Sequence, residues 1–526
     1  MRCRSIASHS GISLDIYALQ LNLVMSKLFG PALLMLFCLG ATAQKSAQQP
    51  PAKQAISNLE RDIPGLLQQA DVPGLSIALI HDGKIVWTGA FGIANAKTKK
   101  PVTKSTVFEA ASLSKPVFAY GVMKLVDKGM LNLDTPLNKY LGNNYDVIND
   151  NRINLITARH VLSHTSGFPN WRGNDDSKDL RIHFTPGEKW SYSGEGMVYL
   201  SKVVEKITGI AFEDYMQQEV LRPLGMTSSS YIWQDRYDTL KAYRHDILGE
   251  FTGRNQPEDL HAARAQDSHD STGASHPSTP VRETGNAAAS LVTTAEDYAR
   301  FIIAVMDGKG LKKSTWEQML TPQVRVTPKY PPIAWGLGLG LETMDEGKYF
   351  WHWGDNGDSK AYITAFLPKK DAVVYFADGS NGLAFTKEIL ADALGGGDHP
   401  AVNNLDYERY NSPSRLLLKA VLAKGATPAL SEYKQLRIQD SAQRINEDKM
   451  NTMGYTLMSK QHLKDAIEVF RQNTEDFPNS WNVWDSLAEA YANNGEKDLA
   501  IKDYEKSIQL NPDNKNGIKK LEKLKQ

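Results

Sequence analysis

The C-terminal part of the sequence repeats itself with a period of 34 residues. The paired positions carry similar residues: Met453 and Leu487, Leu457 and Tyr491, Ala466 and Ala500, Phe470 and Tyr504, Pro478 and Pro512. One unit of this length cannot bury an apolar face alone, so neighbouring units stack around a shared core. The spacing therefore predicts two helix–turn–helix units over residues 447–513.

The second of these units resembles the tetratricopeptide repeat nearly position by position. The residues that carry the resemblance are Trp484, Leu487, Ala488, Tyr491, Ala500, Tyr504 and Pro512. Two units rarely bury enough core by themselves, so we expect the helical stretches 413–445 and 514–525 to flank them as caps. The predicted boundaries are a helical connector at 399–446 and the repeats with a capping helix at 447–526. The resemblance implies a docking surface for a protein partner.

The N-terminal end of the chain has the pattern of an export signal. Lys27 precedes the apolar run 28–40, and the small residues 41–43 allow cleavage before Gln44. The run is shorter than the stretch of about 20 apolar residues that a membrane-spanning helix needs. The pattern therefore predicts a signal peptide that is removed on export.

We expect residues 1–43 to form a leader whose true start is Met25, followed by a linker at 44–56. Both cysteines, Cys3 and Cys38, lie in this leader. A mature chain would then have no disulfide and no thiol chemistry, so its catalysis must use another nucleophile. The expected location is secreted or periplasmic. The alternative is an uncleaved leader that keeps the protein at the membrane.

The charge balance excludes no fold but argues against nucleic acid as a partner. The formal net charge of the 526 residues is +0 and the sequence pI is about 7.2, so the chain has no basic footprint. With 41% hydrophobic and 23% charged residues, the composition is that of a soluble globular protein with a sizeable core. The length suits about three domains, or one large domain with additions.

Residues 57–398 are predicted to form one domain that contains both strands and helices. An Asp82-Gly83 turn between apolar runs predicts a hairpin over 75–87, and hence an antiparallel sheet. Residues 371–378 are typical of a late, buried strand. Helical periodicity is found over 112–128 and 294–306.

Residues 261–286 are rich in Ser, Thr, His and Asp and are interpreted as an exposed loop. The histidines of this segment, His261, His269 and His276, do not have the spacing of metal ligands. The sequence therefore predicts no metal site in this loop, and the catalysis that we infer below requires no cofactor.

The strongest chemical signal is Ser112-Leu113-Ser114-Lys115, at the predicted start of a helix. Positions i and i+3 share one helix face, so Lys115 can lie beside the Ser112 oxygen. A serine hydroxyl needs a base to become a nucleophile, and a lysine can be that base when burial lowers its pKa. The free N–H groups of a helix start also favour a developing oxyanion.

Two further motifs follow in order along the chain. The first is Trp-Ser-Tyr-Ser-Gly around Tyr192, whose phenol can act as base or proton shuttle only if a cation such as Lys115 stabilises its anion. The second is Trp-His-Trp-Gly-Asp around His352, flanked by strand-forming residues. A strand edge there would place the backbone N–H of Asp355 against an oxyanion that the Ser112 N–H also contacts.

In this order and spacing, the motifs resemble those of the serine β-lactamase, D-alanyl-D-alanine peptidase and esterase superfamily, closest to class C β-lactamase-related proteins. Those proteins carry S-x-x-K, then Y-x-N or Y-x-S, then K-T-G or H-x-G. The runs 160–167 and 286–298 match two more hallmarks, and the resemblance covers about residues 57–395. It implies an α/β (α+β) fold of the β-lactamase/transpeptidase type. An antiparallel sheet is then flanked by helices on both faces, and the site lies between the sheet and a helical subdomain.

The resemblance also implies a role for each residue. Ser112 is the nucleophile, Lys115 is its activator, and Tyr192 is the general base and leaving-group acid. His352 is also assigned to the catalytic residues, and it stands where the superfamily often has lysine. The residues assigned to substrate binding are Gly194, Gly354, whose lack of a side chain permits close approach of the substrate backbone, and Asp355.

Two departures from the superfamily pattern bear on the substrate. Gly194 replaces an asparagine whose amide binds the substrate's acyl side chain and braces the lysine. His352 replaces a permanent positive charge, and hydrogen bonds to charged groups contribute about 1.5–3 kcal/mol. Because β-lactams and D-Ala-D-Ala termini carry a carboxylate that such a charge would bind, the sequence favours other substrates.

The sequence thus favours an exported serine hydrolase that forms an acyl-enzyme with esters, amides or D-amino-acid peptides. One alternative is a class C-type β-lactamase or D-alanyl-D-alanine carboxypeptidase. Another is a non-catalytic binding protein that uses the repeats for docking. His160 and His164 are interpreted as turn-bracing residues. For Trp171, Trp190 and Trp353, lining of an apolar substrate pocket and simple packing both stay open.

Export gives the first testable prediction. The mature protein is expected to begin at Gln44, because residues 41–43 are the small residues that signal peptidase requires. N-terminal sequencing of the protein recovered from the producing cell measures this. A chain that still begins at Met1 or Met25 would contradict it.

Overall fold

The computed structural model describes residues 49–172, 180–252, 285–327, 333–396 and 398–526. The predicted leader and the three histidines of the Ser/Thr-rich loop lie outside these residues. Among the described residues, no helix combines the length and the apolar character needed to cross a membrane.

The strands of the described residues are β1 (Gly74–His81), β2 (Lys84–Asn95), β3 (Lys100–Pro101), β4 (Phe108–Glu109), β5 (Val292–Thr293), β6 (Val324–Arg325), β7 (Ile333–Trp335), β8 (Gly340–Met344), β9 (Gly347–Asp355), β10 (Lys360–Phe366) and β11 (Asp371–Ala377). Within this part of the chain, nine of them form one antiparallel sheet in the order β3-β2-β1-β11-β10-β9-β8-β7-β6, and β4 pairs with β5. The predicted hairpin is β1–β2. Its turn residues, Asp82 and Gly83, have φ of 50° and 68°, the left-handed conformation that an Asp-Gly turn supplies.

The helices that cover the sheet and form the subdomain are α1 (Ala52–Ala70), α2 (Ser114–Asp127), α3 (Leu137–Leu141), α4 (Ala158–Leu162), α5 (Gly194–Thr208), α6 (Phe212–Met216), α7 (Ala295–Asp307), α8 (Lys313–Met319) and α9 (Thr386–Leu394). The central strands β1, β10 and β11 are buried on both faces of the sheet. Along β1, Ile77 and Leu79 face the core shared with α1 and α9, whereas Ala78 and Ile80 face the core shared with α2 and α7. This alternation is what the two-residue period of a strand requires. The predicted fold class is confirmed.

Helix α1 begins within the segment predicted to be a linker, so that linker ends earlier than expected. Pro51 stands at its N-cap, and the helix runs from Ala52 to Ala70 although it contains Pro64 and Gly65, residue types of the lowest helix propensity. Leu59 and Ile63 on its inner face are fully buried. The buried apolar residues further along the helix also stabilise its first turn. The Pro- and Gln-rich composition upstream does not reveal this turn.

The connector and repeats consist of α10 (Pro400–Leu405), α11 (Pro413–Lys424), α12 (Ala426–Gln439), α13 (Glu447–Ser459), α14 (Leu463–Asp476), α15 (Trp481–Asn493), α16 (Lys497–Leu510) and α17 (Lys515–Lys525). These helices pack in pairs. Gly454 lets α13 and α14 approach closely, because a Cβ at this position would lie 2.4 Å from the ring of Phe470. Leu417 and Tyr433 of the connector join the same core as the repeats. The connector helices thus extend the stack.

Candidate active site

Ser112 lies in a short 3₁₀ turn, Ala111–Leu113, that joins β4 to α2. Its neighbours Ala111 and Leu113 are fully buried, whereas Ser112 itself is partly exposed. Ala111 has a positive φ of 49°, a left-handed conformation that costs a residue with a Cβ about 1–3 kcal/mol. The chain therefore reverses sharply just before the candidate nucleophile, and this reversal presents Ser112 to the solvent.

Buried side chains hold this strained turn in place. Ser114 Oγ donates to the carbonyl of Ala111 at 2.6 Å and accepts from the N–H of Leu291 at 2.9 Å. Tyr231 and Tyr298 donate to the carbonyls of Ser114 and Leu113 at 2.7 and 2.8 Å. Sequence reasoning missed these residues. The signals available in the sequence are the second serine of Ser-Leu-Ser-Lys and the hallmark run 286–298, which contains Leu291 and Tyr298.

The Lys115 amine lies beside the Ser112 hydroxyl, as the i, i+3 spacing predicts. Its Nζ donates to Ser112 Oγ at 3.0 Å and to the carbonyl of Ala288 at 2.9 Å. The side chain is completely buried, and burial lowers the pKa of Lys115 from 10.5 to about 7. Ala288 belongs to the run 286–298, for which the sequence suggested no role. The run supplies a carbonyl that holds the amine against Ser112.

Two aromatic rings complete the surroundings of Lys115. Its Nζ lies 4.7 Å from the ring centroid of Tyr192 and 5.9 Å from that of Trp171. The faces of aromatic rings attract a cation. Here, however, the amine is also shielded from water. The apolar walls explain why desolvation is the dominant influence on the Lys115 pKa.

His164 fixes the backbone on both sides of Tyr192. The N–H of Ser193 donates to His164 Nδ1 at 3.1 Å, and the N–H of Ser191 donates to the His164 carbonyl at 2.8 Å. The imidazole is fully buried with its ring centroid 4.3 Å from that of Tyr192, and burial lowers the His164 pKa well below 6.5. His164 therefore braces the turn, as the sequence suggested, and it does so directly beneath the candidate catalytic tyrosine.

Tyr192 presents a protonated phenol to the site. Burial raises the pKa of Tyr192 far above the usual value of 10.0, and interaction with Ser112 lowers it only in part. Lys115, with a pKa of about 7, is the group that can lose its proton near neutral pH. Of the two, the resting state therefore offers Lys115 as the base and Tyr192 as the acid.

His352 lies on β9 and is completely buried. Its Nδ1 lies 2.7 Å from the carbonyl of Trp353 and donates to it, and its ring stands 6.2 Å from that of Tyr192. Burial, together with the charge of Lys115, lowers the pKa of His352 to about 3. The imidazole is therefore neutral at physiological pH. It contributes no positive charge to the site.

Gly194 is covered by Trp171. A Cβ at Gly194 would lie 2.8 Å from a Trp171 ring carbon and 2.9 Å from the Asn170 carbonyl, so a side chain here would displace the indole. The Gly194 N–H donates to both the carbonyl and the Oδ1 of Asn170 at 3.0 Å. The space next to Lys115 that a residue at 194 could enter is thus occupied by an apolar ring. Trp171 therefore forms a wall of the site, which is one of the two roles that the sequence leaves open for it.

Gly354 and Asp355 form the end of β9 next to the turn that carries Ser112. A Cβ at Gly354 would lie 2.4 Å from the Ala110 carbonyl, so only glycine allows this approach. Asp355 Oδ1 accepts from the N–H of Gly357 at 2.8 Å and from Lys360 Nζ at 2.5 Å. The carboxylate and the ammonium of this pair neutralise each other.

The other tryptophans of the motifs pack around Tyr192. The ring centroids of Trp353 and Trp190 lie 4.8 and 6.4 Å from that of Tyr192. His160 is not part of this cluster. Its Nδ1 lies 3.0 Å from the Leu155 carbonyl. Among the described residues, no group of three or more His, Cys, Asp or Glu side chains is arranged to hold a metal ion.

The site brings three groups together. The Ser112 hydroxyl is hydrogen-bonded to the Lys115 amine, which is neutral above pH 7, and the protonated phenol of Tyr192 lies beside them. A neutral amine can accept the serine proton while the oxygen attacks a carbonyl. The phenol can then protonate a leaving group. The geometry suits acyl transfer.

Comparison with known proteins adds an independent finding. The family model described as Beta-lactamase matches residues 59–394, and the model of the tetratricopeptide repeat matches residues 484–514. A penicillin-binding protein of Bacillus subtilis (strain 168) is 32% identical over 174 residues, which are 29% of this chain and 37% of that protein. Esterase EstB of Burkholderia gladioli is 29% identical over 192 residues, 32% of this chain and 49% of the esterase. The chain thus spans less than half the length of these relatives.

A solved structure shows the same fold. The octameric penicillin-binding protein homologue from Pyrococcus abyssi superposes with a TM-score of 0.52 at 23% sequence identity. The superposition covers 70% of this chain and 82% of that one. At this identity the likeness concerns the fold alone.

The buried amine leads to a prediction about stability. Lys115→Met is expected to raise the free energy of unfolding most at low pH. The Lys115 pKa is about 7 when folded and 10.5 when unfolded, so the cost of burying the ammonium is complete below pH 7 and disappears between pH 7 and 10.5. The advantage of the variant should therefore shrink by about 2–3 kcal/mol from pH 6 to pH 9. Urea unfolding at both pH values measures it.

The matched control is Ser112→Ala, which keeps the buried amine and should follow the wild-type pH dependence. An advantage of Lys115→Met that is the same at pH 6 and pH 9 would show that the Lys115 pKa is not lowered.

Proposed function

Because the chain belongs to the beta-lactamase family, we propose that it is a serine hydrolase that forms an acyl-enzyme on Ser112. The observation that carries the proposal is the 3.0 Å hydrogen bond between Ser112 Oγ and Lys115 Nζ, in a site where the Lys115 pKa is about 7. A base with a pKa near the working pH combines a useful fraction of its neutral form with a strong tendency to take the proton.

In the proposed acylation step, Ser112 Oγ forms a bond to the substrate carbonyl carbon as its proton passes to Lys115. The carbonyl electron pair moves onto oxygen, where the backbone N–H groups of Ser112 and Asp355 would stabilise it. The intermediate collapses, the bond to the leaving group breaks, and Tyr192 supplies the proton to that group. Lys115 then restores the Tyr192 proton. In deacylation these steps run in reverse with water in place of the leaving group: the water oxygen bonds to the acyl carbon as its proton passes by way of Tyr192 to Lys115, and Lys115 returns a proton to Ser112 Oγ as the acyl bond breaks.

The proposed substrates are uncharged esters or amides. His352, with a pKa of about 3, is neutral, and Lys360 is paired with Asp355. Lys115 is uncharged when active. The rings of Trp171 and Trp353 offer apolar surface beside Lys115 and Tyr192, respectively. These features favour an apolar acyl group over a substrate bound through a carboxylate, with D-amino-acid peptides as the alternative that the substrate test resolves.

We further propose that the enzyme works outside the cytoplasm and that the repeats bind a protein partner. The first part rests on the sequence of residues 25–44, and the second on the match of a repeat model to residues 484–514. Stacked helical pairs commonly present extended binding surfaces.

The mechanism predicts a specific pH profile. kcat/KM for p-nitrophenyl acetate should rise with pH and level off above an apparent pKa of about 7, because only the neutral form of Lys115 accepts the Ser112 proton. Ser112→Ala should abolish both turnover and labelling by a fluorophosphonate, and Lys115→Ala should lower turnover by several orders of magnitude. A flat profile, or turnover that persists in Ser112→Ala, would overturn the proposal.

A matched pair of substrates tests the lack of a carboxylate site. Nitrocefin and its methyl ester differ only in the charge of one group, and the wild type is expected to show no preference for the acid. His352→Lys adds an ammonium and should shift the acid-to-ester ratio of kcat/KM toward the acid by about 10- to 100-fold, the range for a charged hydrogen bond. A wild type that already prefers nitrocefin or a D-Ala-D-Ala peptide over neutral esters would contradict the proposed substrate class.

A further inference from the structure

The connector that follows the family domain turns back onto the sheet immediately after α9. His399 Nδ1 lies 2.6 Å from Glu342 Oε1, and the N–H of Ala401 donates to Glu342 Oε2 at 2.9 Å. His399 and Glu342 are buried. A buried carboxylate needs hydrogen-bond partners on its oxygens, so the residues that supply those partners are held in place. The path of the connector across β8 is therefore set by specific contacts.

Tyr407, just beyond α10, reaches the candidate active site. Its hydroxyl donates to Asp355 Oδ2 at 2.6 Å. The other oxygen of Asp355 is taken by Gly357 and Lys360, and Lys360 Nζ lies 5.5 Å from the ring centroid of Tyr407. Tyr407 and Trp353 also pack against the same apolar cluster. The tyrosine thus completes the set of partners of Asp355.

The segment after Asp355 is held from its other side by the turn that bears the nucleophile. Asn356 Nδ2 donates to Glu109 Oε2 at 2.8 Å, and Glu109 precedes Ser112 by three residues. Glu109 is itself paired with Arg244 in a mostly buried ion pair. The end of β9 therefore lies between the Ser112 turn and the connector, and each side supplies a charged or hydroxyl partner.

Tyr407 lies outside residues 59–394, the part of the chain that the family model matches. The family domain by itself leaves Asp355 Oδ2 without the hydrogen bond that Tyr407 supplies. We propose that Tyr407 is a positioning residue of the active site: by holding the Asp355 carboxylate, it fixes the end of β9 against the Ser112 turn and makes the connector part of the catalytic apparatus. This inference rests on the proposed function, in which the Asp355 N–H contacts the oxyanion.

The hydroxyl matters more than the ring in this arrangement. A hydrogen bond to a carboxylate is about twice as strong as one between neutral groups, and it is directional. Without it, Asp355 keeps its pair with Lys360 but is free to turn about the strand end. A displacement of this kind affects the transition state, where the oxyanion needs its donors at hydrogen-bond distance, more than it affects the binding of the substrate.

The test compares two tyrosines of the connector in the full-length protein. Tyr407→Phe removes only the hydroxyl that holds Asp355. Tyr410→Phe is the matched control, because the Tyr410 hydroxyl lies 3.4 Å from Glu388 and does not contact Asp355. With p-nitrophenyl acetate, kcat of Tyr407→Phe should fall by about tenfold, with KM changed less than about twofold. Tyr410→Phe should match the wild type.

Two further readouts separate positioning from a general loss of structure. The apparent pKa of about 7 in the pH profile should be the same in Tyr407→Phe as in the wild type, because the variant leaves the surroundings of Lys115 intact. Asp355→Ala breaks the same hydrogen bond from the other end. Adding Tyr407→Phe to Asp355→Ala should therefore cost no further activity, since the two changes remove one interaction.

Each outcome has a distinct meaning. If the wild type turns over the ester and Tyr407→Phe does so equally fast, or if the losses of the two variants multiply in the double variant, Tyr407 does not act through Asp355 and this inference fails while the proposed function stands. If the wild type neither turns over the ester nor reacts with the fluorophosphonate at Ser112, the proposed function fails and the inference fails with it.

Discussion

The removal of the Lys115 amine from water is the constraint on which the rest of the site depends. An amine that stays solvated keeps a pKa near 10.5 and is a cation at neutral pH, unable to accept the Ser112 proton. Lowering the pKa to about 7 requires complete burial, and a buried amine needs partners for its N–H groups. The fold supplies a carbonyl from Ala288 and two aromatic rings, those of Trp171 and Tyr192. Four segments that are distant in sequence must therefore come together around the Lys115 amine and exclude water from it.

What the sequence could predict was local in each case. The i, i+3 spacing put Lys115 beside Ser112 because a helix face is a geometric property of a few consecutive residues. The Asp82-Gly83 turn predicted its hairpin for the same reason, and the 34-residue period predicted the C-terminal helical pairs. The antiparallel sheet with helices on both faces followed from the resemblance of ordered motifs, and the structure and the family match bear it out.

What the sequence could not predict depends on distances between remote segments. Glycine at 194 was recognised as a departure, but nothing in the neighbouring residues shows that the Trp171 ring fills the space above it. His164 was interpreted as a bracing residue, yet its position beneath Tyr192 depends on how two loops pack. Tyr407 was placed in a helical connector with no link to the site, because a contact with Asp355 across 52 residues leaves no periodic signal. These contacts depend on how remote segments pack against each other, and residue spacing along the chain does not predict that packing.

The resting charges of the site form a consistent pattern. Tyr192 is a protonated phenol, His352 with its pKa of about 3 is a neutral imidazole, and Asp355 is balanced by Lys360. With Lys115 neutral, the centre has no uncompensated charge before substrate arrives. In the proposed acylation, the ammonium of Lys115 and the oxyanion appear together, and their attraction is stronger in a medium of low dielectric constant than in water. Burial therefore acts twice: it makes the base available at neutral pH, and it favours the ion pair that exists only in the transition state and the intermediate. A fixed cation at position 352 would also attract charged substrates, so a neutral histidine is consistent with the proposed selectivity for uncharged acyl compounds.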